Sequence, residues 1–273
     1  MKRFFGNIGL ILIGVVLMSS SSTILAQDEI EEQAVQISND RKPIKNMFES
    51  IWLIDNQTVL VPIKGTFEFD IQHRFGVVKN GFDDLFGLYA PSNIRLGFGY
   101  VLIDKLMLGF GLTKENLTWD FNAKYAILRQ SRSGHIPVSV TYYVNAAIDG
   151  RKRENFVHNT DRFSYFHQVM IARKITEKLS VQSSINLSHY NAVEAYRTPE
   201  NEIKPKMNND HVSFSLLGRF KITEGMAVIA NYDQPLSKHL TNNPNPNVAF
   251  GIEIATSSHA FQIFLGNYYS LIP

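Results

Sequence analysis

The sequence predicts an all-β protein, an antiparallel transmembrane β-barrel of about 12 strands, of which about 11 can be placed in this chain. Three observations lead there. The first 26 residues have the layout of an export leader. From Thr66 onward, apolar and polar residues alternate with period two. The links between the alternating runs are by turns long and tight. The expected layout is a signal peptide over 1–26, a periplasmic amino-terminal segment over 27–65 and the barrel over 66–273.

In the leader, Lys2 and Arg3 form a positive start, Ile8 to Met18 an apolar stretch, and small polar residues run from Ser19 to Thr23. Ala26 then precedes Gln27, so cleavage after Ala26 is expected, although Ile24 rather than Ala stands at the third position before the cut. The alternative is an uncleaved anchor, for which the apolar run falls short of about 18 residues. The following residues, Gln27 to Ser50, are polar, with Asp28, Glu29, Glu31 and Glu32 close together. They read as a solvated tail, with Ile44 to Ile54 as a short helix or an extended lead-in.

The strand pattern begins with Phe67, Phe69 and Ile71 between Glu68, Asp70 and Gln72. Ile94 to Leu102, Leu106 to Leu112, Trp119 to Ile127 and Val138 to Ala146 repeat it. So do Leu179 to Leu187, Val212 to Phe220 and Val248 to Ile254. Three further runs are less clean: Arg162 to Lys174, Met226 to Tyr232 and Ala260 to Tyr269. Alternation of this kind means strands with one wet and one greasy face. The greasy faces carry large aromatics, the polar faces carry small or charged residues, and several Tyr residues stand toward strand ends. That distribution puts lipid outside and a polar lumen inside. Phe98, Phe110, Phe121, Val140 and Phe214 are then lipid-facing. Phe110→Arg should cost about 2–4 kcal/mol, and more than Met107→Arg on the other face.

Long links are expected at 76–92, 148–161, 190–209 and 233–246. Tight ones fall around Asp104 and at 176–178, 223–225 and 255–259. The short 113–116 link breaks the alternation. One end of the barrel thus carries loops and the other turns, as in outer-membrane barrels. With the amino terminus in the periplasm, eleven strands leave the last one running outward, unpaired with the first, so a closing strand is missing. The alternative is a twelfth strand from Gln57 to Val61, for which Pro62 makes the connection to Thr66 too short.

Composition excludes several roles. The 27 basic residues, less Lys2 and Arg3, leave 25 against 25 acidic ones, so no basic face calls for nucleic acid. With 0 Cys there is no disulfide, thiol nucleophile or Cys-bound metal. The 8 His are scattered without ligand spacing, and no cofactor or metal is expected.

The candidate site residues are the lumen-facing charges Glu68, Asp70, Arg74, Arg95, Asp120, Lys124, Arg219 and Glu253. They fit either a charged constriction that selects solutes or an interior ion-pair network; balanced signs favour the network, since a selective pore carries a ring of one sign. The runs Gly97 to Gly99 and Gly109 to Gly111 lie inside strands with no helix after them, so they read as lumen room, not as a phosphate cradle. Ser188 and His189 are adjacent, hence on opposite faces, and no Gly-x-Ser-x-Gly elbow occurs; no catalytic residue is assigned.

The runs His73-Arg74-Phe75-Gly76 and Asn93-Ile94-Arg95-Leu96-Gly97-Phe98-Gly99-Tyr100 with Asp104 resemble a family of bacterial outer-membrane β-barrel proteins known only as a domain of unknown function. Gly109-Phe110-Gly111, Lys124-Tyr125 and Arg129-Gln130 add to the likeness, which covers roughly Phe48 to Ile272. The resemblance implies an outer-membrane barrel, no established activity, and family members that run on past the last residue here. The expected function is that of a non-enzymatic barrel surrounded by outer-membrane lipid, a small-solute channel or an envelope structural component. A barrel that binds an apolar ligand, or a periplasmic protein partner through Gln27 to Gly65, is the second reading, and a lipid-modifying enzyme the third.

Overall fold

The computed structural model describes residues 41–241 and 243–272. The leader and residues 27–40 lie outside the described residues. One antiparallel sheet of 11 strands dominates. In chain order its strands are β3 (Phe67–Arg74), β4 (Asn93–Ile103), β5 (Leu106–Thr113), β6 (Thr118–Leu128), β7 (Ser139–Ile148), β8 (Phe163–Lys174) and β9 (Leu179–Tyr190). They continue with β12 (Asp210–Thr223), β13 (Met226–Pro235), β14 (Asn247–Ala255) and β15 (Ala260–Gly266). Each pairs with its neighbour along the chain. Two small hairpins complete the set: β1 (Trp52–Leu53) with β2 (Asn56–Gln57), and β10 (Ala195–Arg197) with β11 (Ile203–Pro205) inside the 191–209 loop.

Register follows the alternation. Phe69, Phe98, Phe110 and Phe121 stand directly opposite one another across β3 to β6. The Phe69–Phe98 and Phe98–Phe110 ring centroids are 5.0 and 4.9 Å apart, within the range of favourable aromatic pairs. The greasy face is the outer one. On β6, Trp119, Phe121 and Tyr125 are about half exposed, while Asp120 and Lys124, which alternate with them, are 1% and 2% exposed. A water-soluble barrel has the opposite arrangement, so this surface is built for lipid.

The sheet curls until its first and last strands face each other. The Arg74 guanidinium of β3 lies over the Phe264 ring of β15, 4.7 Å from its centroid. No ladder joins β3 to β15, so the seam is open, as the odd strand count predicts. Both edges run in the same direction along the barrel. Gln72 Nε2 and Arg74 Nε on the β3 edge are buried without a hydrogen-bond partner among the described residues.

The amino-terminal segment departs from expectation. Residues 41–46 are mostly exposed, as a solvated tail would be, but 47–50 are not, Ile44 to Ile54 form no helix, and residues 57–61 add no strand to the 11-stranded sheet. Instead 47–61 form a hairpin inside the barrel. Met47, Phe48, Ile51, Trp52, Leu53, Ile54, Val59 and Val61 bury their apolar side chains there, which a tail in water cannot do.

Candidate functional site in the lumen

The chain enters the barrel at the short-turn end. Ile44 donates its N–H to the Gln130 carbonyl at 2.9 Å, and Arg132 N–H donates to the Lys42 carbonyl at 3.0 Å. The hairpin then rises along the axis, and the chain leaves at the same end, where Gly65 N–H donates to the Val101 carbonyl.

A hairpin with strands of two residues satisfies few of its own backbone groups, so the wall supplies the rest. Gln182 serves both its neighbours: its Oε1 accepts from Val59 N–H and its Nε2 donates to the Gln57 carbonyl, each at 2.8 Å. Gln262 does the same from β15, accepting from Ile54 N–H and donating to the Trp52 carbonyl, again at 2.8 Å. Thr141 Oγ1 donates to the Val59 carbonyl at 2.9 Å. Lys124 Nζ reaches the Ile51 and Leu60 carbonyls at 3.2 and 3.3 Å.

The tip is held by polar side chains. Asp55 makes an ion pair with Arg74 and accepts from Asn247 Nδ2 at 3.0 Å. Asn56 Nδ2 donates to Asn231 and Asp233 at 2.8 Å, and its Oδ1 accepts from Gln168 at 2.9 Å. Ile54 sits at φ 56, a left-handed conformation that a β-branched residue rarely adopts; the bonds on both sides of it hold it there. Below the tip, Met47, Phe48, Leu53, Ile54 and Val59 pack against Phe166, Met170, Leu217 and Ile229 of the wall. Ile51, Trp52 and Val61 pack against Val101, Met107 and Ala126. A residual cavity of about 10 Å³, lined by Trp52, Gln57, Arg95 and Lys124 among others, is left, room for about one water.

The eight charged candidates all point to this inner side, in separate groups. Arg95 binds Asp120 bidentately at 2.8 and 2.9 Å and Asp70 at 2.9 Å, with the Trp52 ring 5.5 Å away. Gly97 and Gly111 make room for it: a Cβ on Gly97 would meet Asp70 Oδ1 at 2.3 Å, and one on Gly111 would meet Arg95 Nη2 at 2.3 Å. Arg219 binds Glu253 at 2.6 Å and Glu49 of the amino-terminal segment at 3.5 Å. Arg74 goes to Asp55 and Lys124 to hairpin carbonyls. Glu68 makes no ion pair or hydrogen bond among the described residues. Of the two readings of these charges, the geometry is that of an ion-pair network, extended by the hairpin.

The residues that the sequence reading passed over are the neutral anchors Thr141, Gln168, Gln182, Asn231, Asn247 and Gln262. It also missed a histidine pair at the long-loop end. Ser188 and His211 are register partners on one inner face. His239 Nδ1 accepts from Asn208 N–H at 3.0 Å, so its hydrogen lies on Nε2 and is donated to His211 Nδ1 at 2.9 Å. His211 then carries its own hydrogen on Nε2, which leaves no ring lone pair to activate a serine. His189, on the other face, binds Asp210 at 2.7 Å.

A curled sheet, greasy outside and charged within, wrapped around a segment of its own chain, defines a plugged transmembrane β-barrel. The chain belongs to the family described as the membrane bound beta barrel domain (DUF5777), whose model matches residues 48–273 and so takes in the hairpin. No curated protein matches the chain.

Proposed function

We propose that this is an outer-membrane barrel, exported with cleavage after Ala26, that stands closed as a non-enzymatic envelope component and not as an open small-solute channel. One observation carries the reading: the 47–61 hairpin occupies the axis a solute would use, hydrogen-bonded to wall residues from β6 to β15. Apart from Glu68, the lumen charges are engaged in pairs or with the hairpin, and a single carboxylate is not a ring of one sign that could select ions. With the short-turn end in the periplasm, 41–46 are the described residues ahead of the hairpin that a periplasmic protein partner would hold, because 47–61 are inside. The reading calls for no cofactor and no nucleic acid.

Planar-bilayer recording tests it. The wild-type chain should be silent, and Leu53→Asp, which places a charge at a side chain 0% exposed in the apolar cluster, should expel the hairpin and give discrete ion-conducting events. Steady porin-like conductance from the wild type overturns the closed barrel. Export is tested separately: intact mass should show a chain starting at Gln27 in the outer-membrane fraction. Retention of Met1, or a soluble periplasmic protein, rules it out.

A further inference from the structure

The loop from Gly76 to Ala90 is unlike the others at its end of the barrel. The 149–162, 191–209 and 236–246 loops are rich in charged and polar residues, such as Arg151, Lys152, Glu154, Glu194, Lys204 and Lys238. Each also exposes one or two large apolar side chains (Val157, Ile203, Leu236 and Leu240), whereas the 76–90 loop, beside Lys79 and Asp83, exposes Val77, Val78, Phe82, Phe86, Leu88 and Tyr89 together, with Phe82 84% and Tyr89 78% exposed. An apolar cluster of this kind is costly in water and marks a contact surface.

The loop is built to hold that display. Its base is pinched shut where Gly76 N–H donates to the Gly87 carbonyl at 2.9 Å. A Cβ on Gly76 would fall 2.3 Å from the Ala90 Cβ, so only glycine permits the closure. Asp84 turns inward, accepting from Gly87 N–H at 2.8 Å and from Asn80 Nδ2 at 2.9 Å. Leu85 and Phe86 both take left-handed backbone, φ 50 and 56, a strain that ordinary loops avoid. The Phe82 and Phe86 rings meet edge to face at 5.0 Å.

Its position names the occupant. The loop continues β3, whose outer face presents Phe67, Phe69 and Ile71 to lipid. At the top of β3 the His73 and Phe75 rings, 4.1 Å apart, lead from that face into the loop. β3 is an edge strand, and no ladder pairs it on the side that faces β15. We infer that the 76–90 loop is a membrane anchor, inserting Phe82, Phe86 and their apolar neighbours into the headgroup–acyl boundary of the leaflet at the long-loop end. Apolar side chains beside a lipid-facing wall gain from such shallow burial.

The absence of cysteine allows a clean test on the full chain. Phe82→Cys carries one environment-sensitive thiol label in phosphatidylcholine vesicles. Phe250→Cys on the outer face of β14 is the lipid control, and Val157→Cys in the 149–162 loop the water control. The Phe82 label should be blue-shifted, quenched by brominated acyl chains as the Phe250 label is, and shielded from aqueous iodide. Iodide access like that of Val157 overturns the anchor. Shielding from both quenchers also overturns it, since that places the loop against protein. Tyr89→Cys probes the same loop if Phe82→Cys does not fold.

Discussion

Arg95→Met is expected to cost the barrel on the order of 3–5 kcal/mol in urea unfolding from vesicles, the usual price of stranding a buried charge. Arg95 and Asp120 have side chains only 3% and 1% exposed, and Asp120 has no other cation within ion-pair distance among the described residues. Asn145 Nδ2, at 2.9 Å, can keep one hydrogen bond to the carboxylate but cannot neutralise it. Asp70, with 21% side-chain exposure, is better placed to find water and should contribute less to the loss. The double variant Arg95→Met/Asp120→Asn should recover most of the stability, because it removes the stranded charge with its partner. A single-variant loss near zero, or a double variant no better than the single, sinks this account of the network.

Phe110→Arg is the second large effect, about 2–4 kcal/mol for a cation at a mid-membrane, lipid-facing site. Phe110 is 40% exposed on the outer face, stacked on Phe98 and opposite Phe121. Met107, the inner-face comparison suggested by periodicity, is the wrong control. It faces inward but is 3% exposed and packs with Ile51 and Trp52, so an arginine there would also bury an unpaired charge. Asn122→Lys is the better comparison: it borders the residual cavity, and its Nδ2 already lies 3.4 Å from Asp120. Equal unfolding midpoints for Phe110→Arg and Asn122→Lys would refute the assignment of faces.

The wall was readable because a strand writes its two faces into every second residue, and a lumen and a bilayer differ enough in polarity to keep the pattern clean. Asp70, Arg95 and Lys124 announced their side in this way. The strand number and the open seam followed from counting those runs and from their direction. The hairpin was not readable in the same manner. Its anchors are single side chains bonded to backbone very far along the chain, as Gln262 to Trp52 and Gln182 to Gln57, and no local period connects such pairs. A local trace did exist: apolar Ile51 to Ile54, the turn residues Asp55 and Asn56, then apolar Val59 to Val61. Such a trace marks a hairpin but not its place, because a strand too short to cross a membrane can lie at an edge, at a rim or in a lumen with the same local pattern. The β10–β11 hairpin escaped notice because its three-residue strands are too short to show alternation.

Between Ile44 and Gly65 the chain goes in and comes out through the same mouth of the ring of strands. Topologically it is a bight pushed into a tube, and it can be withdrawn without breaking a single rung of the ladder. Its release is therefore separable from unfolding of the wall: the two events can have different barriers and can be driven by different means. A steady pull on the residues before Pro43 should work the bight loose from that mouth first, while the sheet around it stays intact.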